Sequence, residues 1–153
     1  MSLPNCNRWA RRAARGFTLV ELMVVIAVVA ILTTIAVASY RSYVLRATRT
    51  EARMALLAIQ VAQEKFFLQN NQYAQTLATA IAAPPAGLGV ALAAGGVTLG
   101  GHYTVSFPAA TANTYTVQAV ATGTQTADKA ACLTFTINEQ GVRTPVDSSG
   151  CWR

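Results

Sequence analysis

One carboxylate lies inside a long apolar segment near the N-terminus. Glu21 stands in the stretch RGFTLVELMVVIAVVAI, and residues 22–40 after it carry no charge. In a helix, those residues would span about 28 Å, close to the ~30 Å hydrocarbon core of a bilayer. A carboxylate at the centre of such a helix costs roughly 2.5–3.5 kcal/mol, and less toward its end. Neither an ordinary export signal nor a plain anchor benefits from it, so Glu21 indicates a role beyond anchoring.

Few other side chains suggest catalysis. His102 is the one histidine of the sequence, and it falls at the start of a predicted strand, where we expect it to be solvated. Serine and cysteine nucleophiles lack a base partner. Asp128, Glu139 and Asp147 are not spaced as metal ligands, and GLGVALAAGG lacks the lysine of a phosphate-binding loop. We therefore expect no enzymatic activity, no metal site and no cofactor.

The cysteines allow two interpretations. Cys6 lies in the basic N-terminal leader, whereas Cys132 and Cys151 lie near the other end of the chain. In a domain outside the cytoplasm this pair suggests one disulfide, worth about 3 kcal/mol in the chain-entropy model. The alternative is two unpaired, buried thiols.

The positive charge is concentrated at the N-terminus. The net charge is +6, from 12 basic and 6 acidic residues. Four of the basic residues, Arg8, Arg11, Arg12 and Arg15, precede the apolar segment, so 12 − 4 leaves 8 against 6, or +2, in the remainder. The high isoelectric point is therefore mainly a property of the leader and not a nucleic-acid signal by itself.

The apolar segment continues into an amphipathic helix. The pattern is helical from residue 41 to about residue 70, and no glycine or proline interrupts residues 17–71. One face is formed by residues at spacings of four and three: Ala52, Leu56, Ile59, Gln63 and Phe66. We predict one helix of roughly 50 residues that ends near QNNQYA.

The C-terminal half of the chain predicts a sheet. Residues 82–101 are rich in proline and glycine, and we expect a surface loop there with few side-chain hydrogen bonds. Alternating or apolar segments follow at HYTVSF (102–107), TYTVQAVA (114–121), CLTFTI (132–137) and residues 142–144. We predict an α+β fold, in which an antiparallel sheet of three or four strands is covered by the amphipathic half of the helix.

The N-terminal segment resembles that of type IV prepilins and related pseudopilins. The resemblance rests on GFTLVEL, residues 16–22, behind a basic leader. In that family a prepilin peptidase cuts after the glycine and methylates the new N-terminus, which implies cleavage between Gly16 and Phe17 and methylation of Phe17. The family's glutamate is needed for subunit docking, which implies an assembly role for Glu21. In a dry filament core, its charge could pair with the N-terminal ammonium of a neighbour and set the axial register.

The resemblance also implies how the chain is divided. Residues 1–16 would be the leader that is removed, residues 17–40 the transmembrane and assembly helix, and residues 41–153 the globular pilin domain. The family's fold has a C-terminal disulfide, and the chain is similar to PilE-like minor pilins. Many major pilins have glycine and proline where this chain has Ala30 and Ala38, so its helix should be straighter and a major-subunit role is less favoured.

The function implied is that of a structural minor pilin of a type IV pilus, which acts in pilus assembly and so in twitching motility or adhesion. Its partners would be other pilin subunits, the prepilin peptidase, an inner-membrane assembly platform, and the lipid bilayer before assembly. It would cross the bacterial inner membrane once, with its C-terminal domain in the periplasm, and then enter the extracellular filament. A type II secretion pseudopilin is the alternative, although the cysteine pair and the lack of a clustered-acid calcium loop favour the pilus.

DNA binding is a further hypothesis. Competence-type minor pilins of this family capture DNA, and Arg46, Arg49 and Arg53 lie at i, i+3 and i+7 on one predicted helical face. The other explanation is that these arginines are solvated or contact neighbouring subunits. We favour that explanation, because this part of the helix would be partly buried after assembly.

Overall fold

The structure is a computed structural model that describes residues 16–78, 82 and 87–152. The predicted leader therefore lies outside the described residues, except for Gly16. The described residues divide into two compact units, one that ends at Ser39 and one that begins at Tyr40. Helix α1, Leu19–Asn70, is the longest element, and its bounds agree closely with the prediction.

The start of α1 has a defined cap. The Thr18 hydroxyl accepts a hydrogen bond of 3.2 Å from the backbone N–H of Glu21, which satisfies one of the free donors of the first turn. A carboxylate in that first turn is also favoured by the helix dipole. The apolar residues that follow, up to Tyr40, are all exposed, and by length and composition the helix can cross a membrane.

The amphipathic part of α1 buries the predicted face. Its buried residues include Ala52, Leu56, Ile59, Gln63 and Phe66. Gln63, the polar member, is satisfied by the backbone of Ala74: its amide nitrogen donates to the carbonyl and its amide oxygen accepts from the N–H, each at 2.8 Å. The glutamine therefore holds the segment after the helix against the core, and its burial leaves neither group unpaired.

Four antiparallel strands form one sheet in the order of the sequence. They are β1, Tyr103–Ala110; β2, Tyr115–Ala121; β3, Thr134–Asn138; and β4, Arg143–Thr144. The register pairs Val105 with Ala119 and Val117 with Ile137, so that alternate apolar residues of three strands share the buried face. The predicted α+β fold is confirmed.

Strand β1 departs from strict alternation. Tyr103 and Val105 are buried as predicted, but the pairing with β2 shifts between Ser106 and Ala109, and Phe107 is only half-buried. Pro108 lies at the shift, where its missing N–H removes a ladder hydrogen bond. The alternation of the sequence therefore does not place Phe107 fully in the core.

The connector before β1 is not simply a surface loop. Leu88, Gly96 and Thr98 are buried, and the Thr98 hydroxyl donates to the Tyr103 carbonyl at 3.1 Å and accepts from its N–H at 3.2 Å. A Cβ at Gly96 would lie 2.7 Å from the Val105 carbonyl oxygen. The prediction of a loop with few side-chain hydrogen bonds is wrong here, because the end of the connector packs along β1.

Cys132 and Cys151 form a disulfide and are both fully buried. Phe135 is beside them in the core, with its ring centroid 5.9 Å from that of Tyr103 and 5.5 Å from that of Trp152. The disulfide interpretation of the cysteine pair is therefore confirmed, and the bond ties the C-terminal segment to the start of β3.

Candidate functional site

The predicted processing site lies just before α1. Gly16 and Phe17 precede the first helical residue, and the Phe17 side chain is 80% exposed. No described atom lies within 4 Å of a Cβ built on Gly16. Packing within the described chain therefore does not require glycine at this position. Any requirement for glycine would come from an enzyme that recognises the site.

Glu21 is exposed in the first turn of the same helix. Its backbone N–H is held by Thr18, whereas its carboxylate forms no ion pair among the described residues. The charge is therefore available to a group from another molecule. Its assembly role stays a prediction.

Arg49, one of the three predicted DNA-binding arginines, is buried. Its Nε donates to Asp128 Oδ2 at 2.7 Å and its Nη2 to Oδ1 at 2.6 Å, a bidentate pair in which both side chains are about 5% exposed. Burial raises the pKa of Asp128, but the hydrogen bonds and charge of Arg49, together with hydrogen bonds from the Lys129 N–H and Gln125, outweigh it and hold that pKa below its usual range. The positive charge of Arg49 is thus neutralised inside the fold.

Gln125 extends this pair into a buried network. Its amide nitrogen donates to the Leu45 carbonyl and to Asp128 Oδ2, each at 3.0 Å. Its amide oxygen accepts from the Thr48 hydroxyl. The network joins α1 to the connection between β2 and β3. Sequence reasoning missed it, because Arg49 and Asp128 are 79 positions apart and no local pattern links them.

Arg53 is bound to the C-terminal segment. Its Nη1 donates to the Trp152 carbonyl at 2.9 Å, and its Nη2 donates to the Thr50 hydroxyl at 2.7 Å. The Arg143 guanidinium, which is exposed, lies over the ring of the same Trp152 at 5.2 Å from its centroid. This stacking on tryptophan was not predicted, since it depends on how the C-terminal segment crosses β4.

Arg46 is the exposed member of the predicted trio. Its Nε donates to the Ser42 carbonyl at 3.2 Å, and it lines a small cleft together with Lys129. The three arginines therefore do not present one exposed basic face: Arg49 is buried, Arg53 is half-buried, and Arg46 is brought close to a lysine from a distant part of the chain.

His102 is paired and not merely solvated. Its Nδ1 is 2.8 Å from Glu51 Oε2, and the other carboxylate oxygen of Glu51 accepts from the Gly100 N–H at 2.9 Å. Partial burial raises the pKa of Glu51, but the hydrogen bonds from Thr98, His102 and the Gly100 N–H, together with the electrostatic effect of His102, outweigh it and lower that pKa. This cluster holds the connector against α1. The described residues contain no group of three or more side chains suited to a metal ion.

Two family models match this chain. Residues 11–37 match the "Prokaryotic N-terminal methylation motif", and residues 38–136 match "Type IV minor pilin ComP, DNA uptake sequence receptor". A long N-terminal helix, an antiparallel sheet and a C-terminal disulfide are the features that this class of protein combines. The chain belongs to the type IV pilin family, in the group that the second model describes, and the resemblance found in the sequence is confirmed.

Individual relatives agree with this assignment. The type IV major pilin protein PilA of Myxococcus xanthus is 41% identical over 59 residues, which are 39% of this chain and 27% of that protein. PilE1 of Neisseria gonorrhoeae is 36% identical over 72 residues, 46% of this chain and 44% of that protein. The matched part is thus less than half the length of either relative.

A solved structure agrees with the fold. The type IV pilin from Shewanella oneidensis is 24% identical and superposes with a TM-score of 0.50, over 71% of this chain and 98% of that one. At this identity the likeness supports the architecture alone.

Proposed function

We propose that this chain is a minor subunit of a type IV pilus, processed between Gly16 and Phe17 and assembled through Glu21. The observation that carries the proposal is the exposed first part of α1, where every described residue from Gly16 to Tyr40 is exposed and the apolar ones are nearly continuous. A surface of this kind requires lipid or other helices around it. Membership of the type IV pilin family supplies both environments.

The mechanism follows from the two charges at the start of the helix. Cleavage would leave an ammonium at Phe17, four positions before Glu21. When helices of neighbouring subunits pack in a dry core, Glu21 of one and the ammonium of another would form a buried pair that is satisfied only in one axial register. The helix would thus exchange lipid contacts for helix contacts while the charge pair sets the stagger between subunits.

The proposed location is the bacterial inner membrane, crossed once, followed by the filament. The Cys132–Cys151 disulfide supports a periplasmic C-terminal domain, because such bonds persist in oxidising compartments. The prepilin peptidase and the inner-membrane platform are proposed partners, and pilus-dependent twitching motility or adhesion is the proposed outcome. A type II secretion pseudopilin shares the N-terminal motif, but the pilin match over residues 38–136 favours the pilus.

Fractionation tests this function. Cells that express the chain would be sheared, and the filament and membrane fractions would be analysed by intact-mass spectrometry. We expect a species that begins at methylated Phe17 in both fractions. A mature chain that never leaves the membrane in cells that assemble pili would contradict the proposal, and a chain that retains residues 1–16 would contradict the processing site.

A second candidate function is that of a DNA receptor, and the family model over residues 38–136 favours it. The described domain carries exposed cations that could contact phosphates, among them Arg46, Lys129 and Arg143. Arg143 is the strongest of these, because Trp152 holds its guanidinium in place on the edge strand. Arg49 is no longer a candidate contact, since its charge is paired with Asp128.

Salt dependence tests the DNA hypothesis. The unit of residues 40–153 is compact by itself, so its binding to duplex DNA can be followed while the salt concentration rises. We expect the logarithm of the binding constant to fall linearly with the logarithm of salt, and Arg143→Gln to reduce the slope by about one. Lys65→Gln is a charge-matched control. Absence of binding at low salt would exclude this function.

A further inference from the structure

A small cleft lies between α1 and the connection from β2 to β3. Its lining consists of Ser42, Leu45, Arg46, Arg49, Ala127, Asp128 and Lys129. The cleft has a volume of about 250 Å³, slightly less than the ~300–1,000 Å³ of typical small-molecule pockets. It therefore suits a compact group held at the surface better than an enclosed ligand.

The cleft is positively charged. Three cations and one carboxylate line it, so that 3 − 1 leaves a formal charge of +2. Arg49 and Asp128 neutralise each other at 2.6 Å. Arg46 and Lys129 are both exposed, and among the described residues neither forms an ion pair. These two side chains therefore supply the excess charge, and an anion is the complementary ligand.

The buried pair of Arg49 and Asp128 positions Lys129, the second exposed cation of the cleft. The Lys129 N–H donates to Asp128 Oδ1 at 2.7 Å, while the same oxygen accepts from Arg49. Asp128 thus fixes the backbone of Lys129 next to α1. Without this contact, no local sequence constraint would keep Lys129 beside Arg46, because they belong to segments that are remote in the chain.

The position of the cleft along the chain restricts which anion it meets. Arg46 follows Tyr40, the last residue of the uncharged segment, by six positions. These six residues belong to helix α1 and span about 9 Å. Each headgroup region is about 5–8 Å thick. When residues 22–40 cross a bilayer, Arg46 must therefore lie at or just beyond the headgroups.

Aromatic residues support the same depth. Tyr40 and Tyr43 are 70% and 64% exposed, and tyrosine is enriched where a helix passes from hydrocarbon into the headgroup region. Arg46 follows Tyr43 by three positions, which is less than one helical turn. The apolar segment is thus followed by a stretch that contains two tyrosines and two arginines, Tyr40, Arg41, Tyr43 and Arg46, as expected where a helix passes from the bilayer core to the phosphates.

From these observations we propose that Arg46 and Lys129 bind the phosphate of an anionic phospholipid headgroup while the chain is anchored in the membrane before assembly. The proposal rests on the membrane-anchored state described under the proposed function. Two cations that converge on one phosphate form charge-assisted hydrogen bonds. The contact would hold the globular domain at the bilayer surface until the helix leaves the lipid.

The two lysines of the sequence, Lys65 and Lys129, provide an internal comparison. The full chain would be placed in nanodiscs of phosphatidylcholine alone or mixed equally with phosphatidylglycerol. Acetylation of each lysine would then be followed by mass spectrometry. A phosphate bound to the ammonium keeps its nitrogen protonated and unreactive. We expect Lys129 to react about fivefold more slowly in the anionic nanodiscs, and the rate at Lys65 to change little.

Two variants distinguish an effect of the cleft from an effect of surface charge in general. Arg46→Gln should remove most of the protection of Lys129 from acetylation. Arg41→Gln removes a charge that is nearer the membrane but outside the cleft lining, and it should leave that protection unchanged. Equal effects of the two variants would contradict a specific site. Equal acetylation rates of Lys129 in both nanodiscs would overturn the proposal and leave the pilus function standing, and failure of the chain to insert would overturn both.

Two further additions decide between sources of phosphate. In neutral nanodiscs, millimolar inorganic phosphate and short duplex DNA would each be added, and neither should protect Lys129 as well as anionic lipid does. Protection by inorganic phosphate alone would assign the cleft to small free anions. Protection by DNA and not by lipid would assign it to nucleic acid, and in either case the lipid proposal would be wrong.

Discussion

Arg49 on α1 and Asp128 on the connection between β2 and β3 form a bidentate ion pair of 2.6 and 2.7 Å, with side chains 6% and 4% exposed. Gln125 and the backbone N–H of Lys129 complete the coordination of the carboxylate. Arg49, which the sequence pattern predicts to lie on a basic surface, is thus a structural residue. Its partner holds in place the segment that leads to the disulfide.

Removing one partner of this pair should be strongly destabilising. We expect Arg49→Ala to lower the free energy of unfolding of the domain by roughly 3–5 kcal/mol, because it leaves Asp128 buried and unpaired. Urea denaturation of residues 40–153 would measure this. Arg46→Gln, a change to an exposed arginine one turn earlier, should stay within about 0.5 kcal/mol. If the two variants were equally stable, Arg49 would not hold the fold as described.

The same pair predicts a dependence of stability on pH. The folded pKa of Asp128 is depressed, so its contribution is fully present above the unfolded value of about 3.9 and is lost as the pH falls through the folded pKa. The pKa of Glu51 is depressed as well. Ionised Glu51 therefore also contributes stability that is lost as the pH falls. We expect the urea midpoint to fall as the pH drops below about 4.5 and Asp128→Asn to flatten that fall. An unchanged pH profile in this variant would contradict the assignment.

Tyr115 carries a hydroxyl that the fold does not use. The side chain is 1% exposed, and its hydroxyl has no hydrogen-bond partner among the described residues. Burial raises the pKa of Tyr115. We expect Tyr115→Phe to be neutral or slightly stabilising, because an unpaired polar group is removed, and Tyr115→Ala to cost about 3–5 kcal/mol through the cavity. Thermal unfolding of both variants would measure this, and a loss above 1 kcal/mol in the phenylalanine variant would reveal a partner for the hydroxyl.

Glu21 should matter to assembly and not to processing. Glu21→Gln keeps the shape of the side chain and removes the charge, so we expect normal cleavage but an incorporation into filaments that falls by more than about tenfold, since losing one member of a buried pair costs roughly 3–5 kcal/mol. Quantitative blotting of sheared filaments, normalised to the mature chain in the membrane, would measure it. Wild-type incorporation of this variant would refute the role proposed for Glu21.

Gly16 should matter to processing alone. We expect Gly16→Ala to leave most of the chain uncleaved, because packing within the described chain does not explain the glycine and the requirement is therefore assigned to the peptidase. The mass of the membrane-bound chain would show the outcome. Ala13→Gly, a change of similar size within the leader, is the control and should be cleaved normally. A correctly shortened Gly16→Ala chain would move the processing site elsewhere.

Local patterns were sufficient for most of the architecture. The spacings of Ala52, Leu56, Ile59, Gln63 and Phe66 identified the buried face of α1, because helical period and burial coincide there. Alternation identified the strands, except at Phe107, which the register shift between Ser106 and Ala109 leaves half-buried. The packing of the connector along β1 was not predicted. Its glycines and prolines indicate where regular structure ends, but they do not indicate which residues the segment contacts.

The sequence by itself determined the class of protein. The motif at residues 16–22, the uncharged segment, the amphipathic period and the cysteine pair all act over short distances in the chain, where side-chain type and spacing are enough to specify the outcome. Only the tertiary structure decided which charged side chains are neutralised and which stay exposed. Whether an arginine is neutralised, as Arg49 is by Asp128, or stays exposed, as Arg46 does beside Lys129, depends on contacts between segments that are remote in sequence, and electrostatic partners of this kind leave no local pattern.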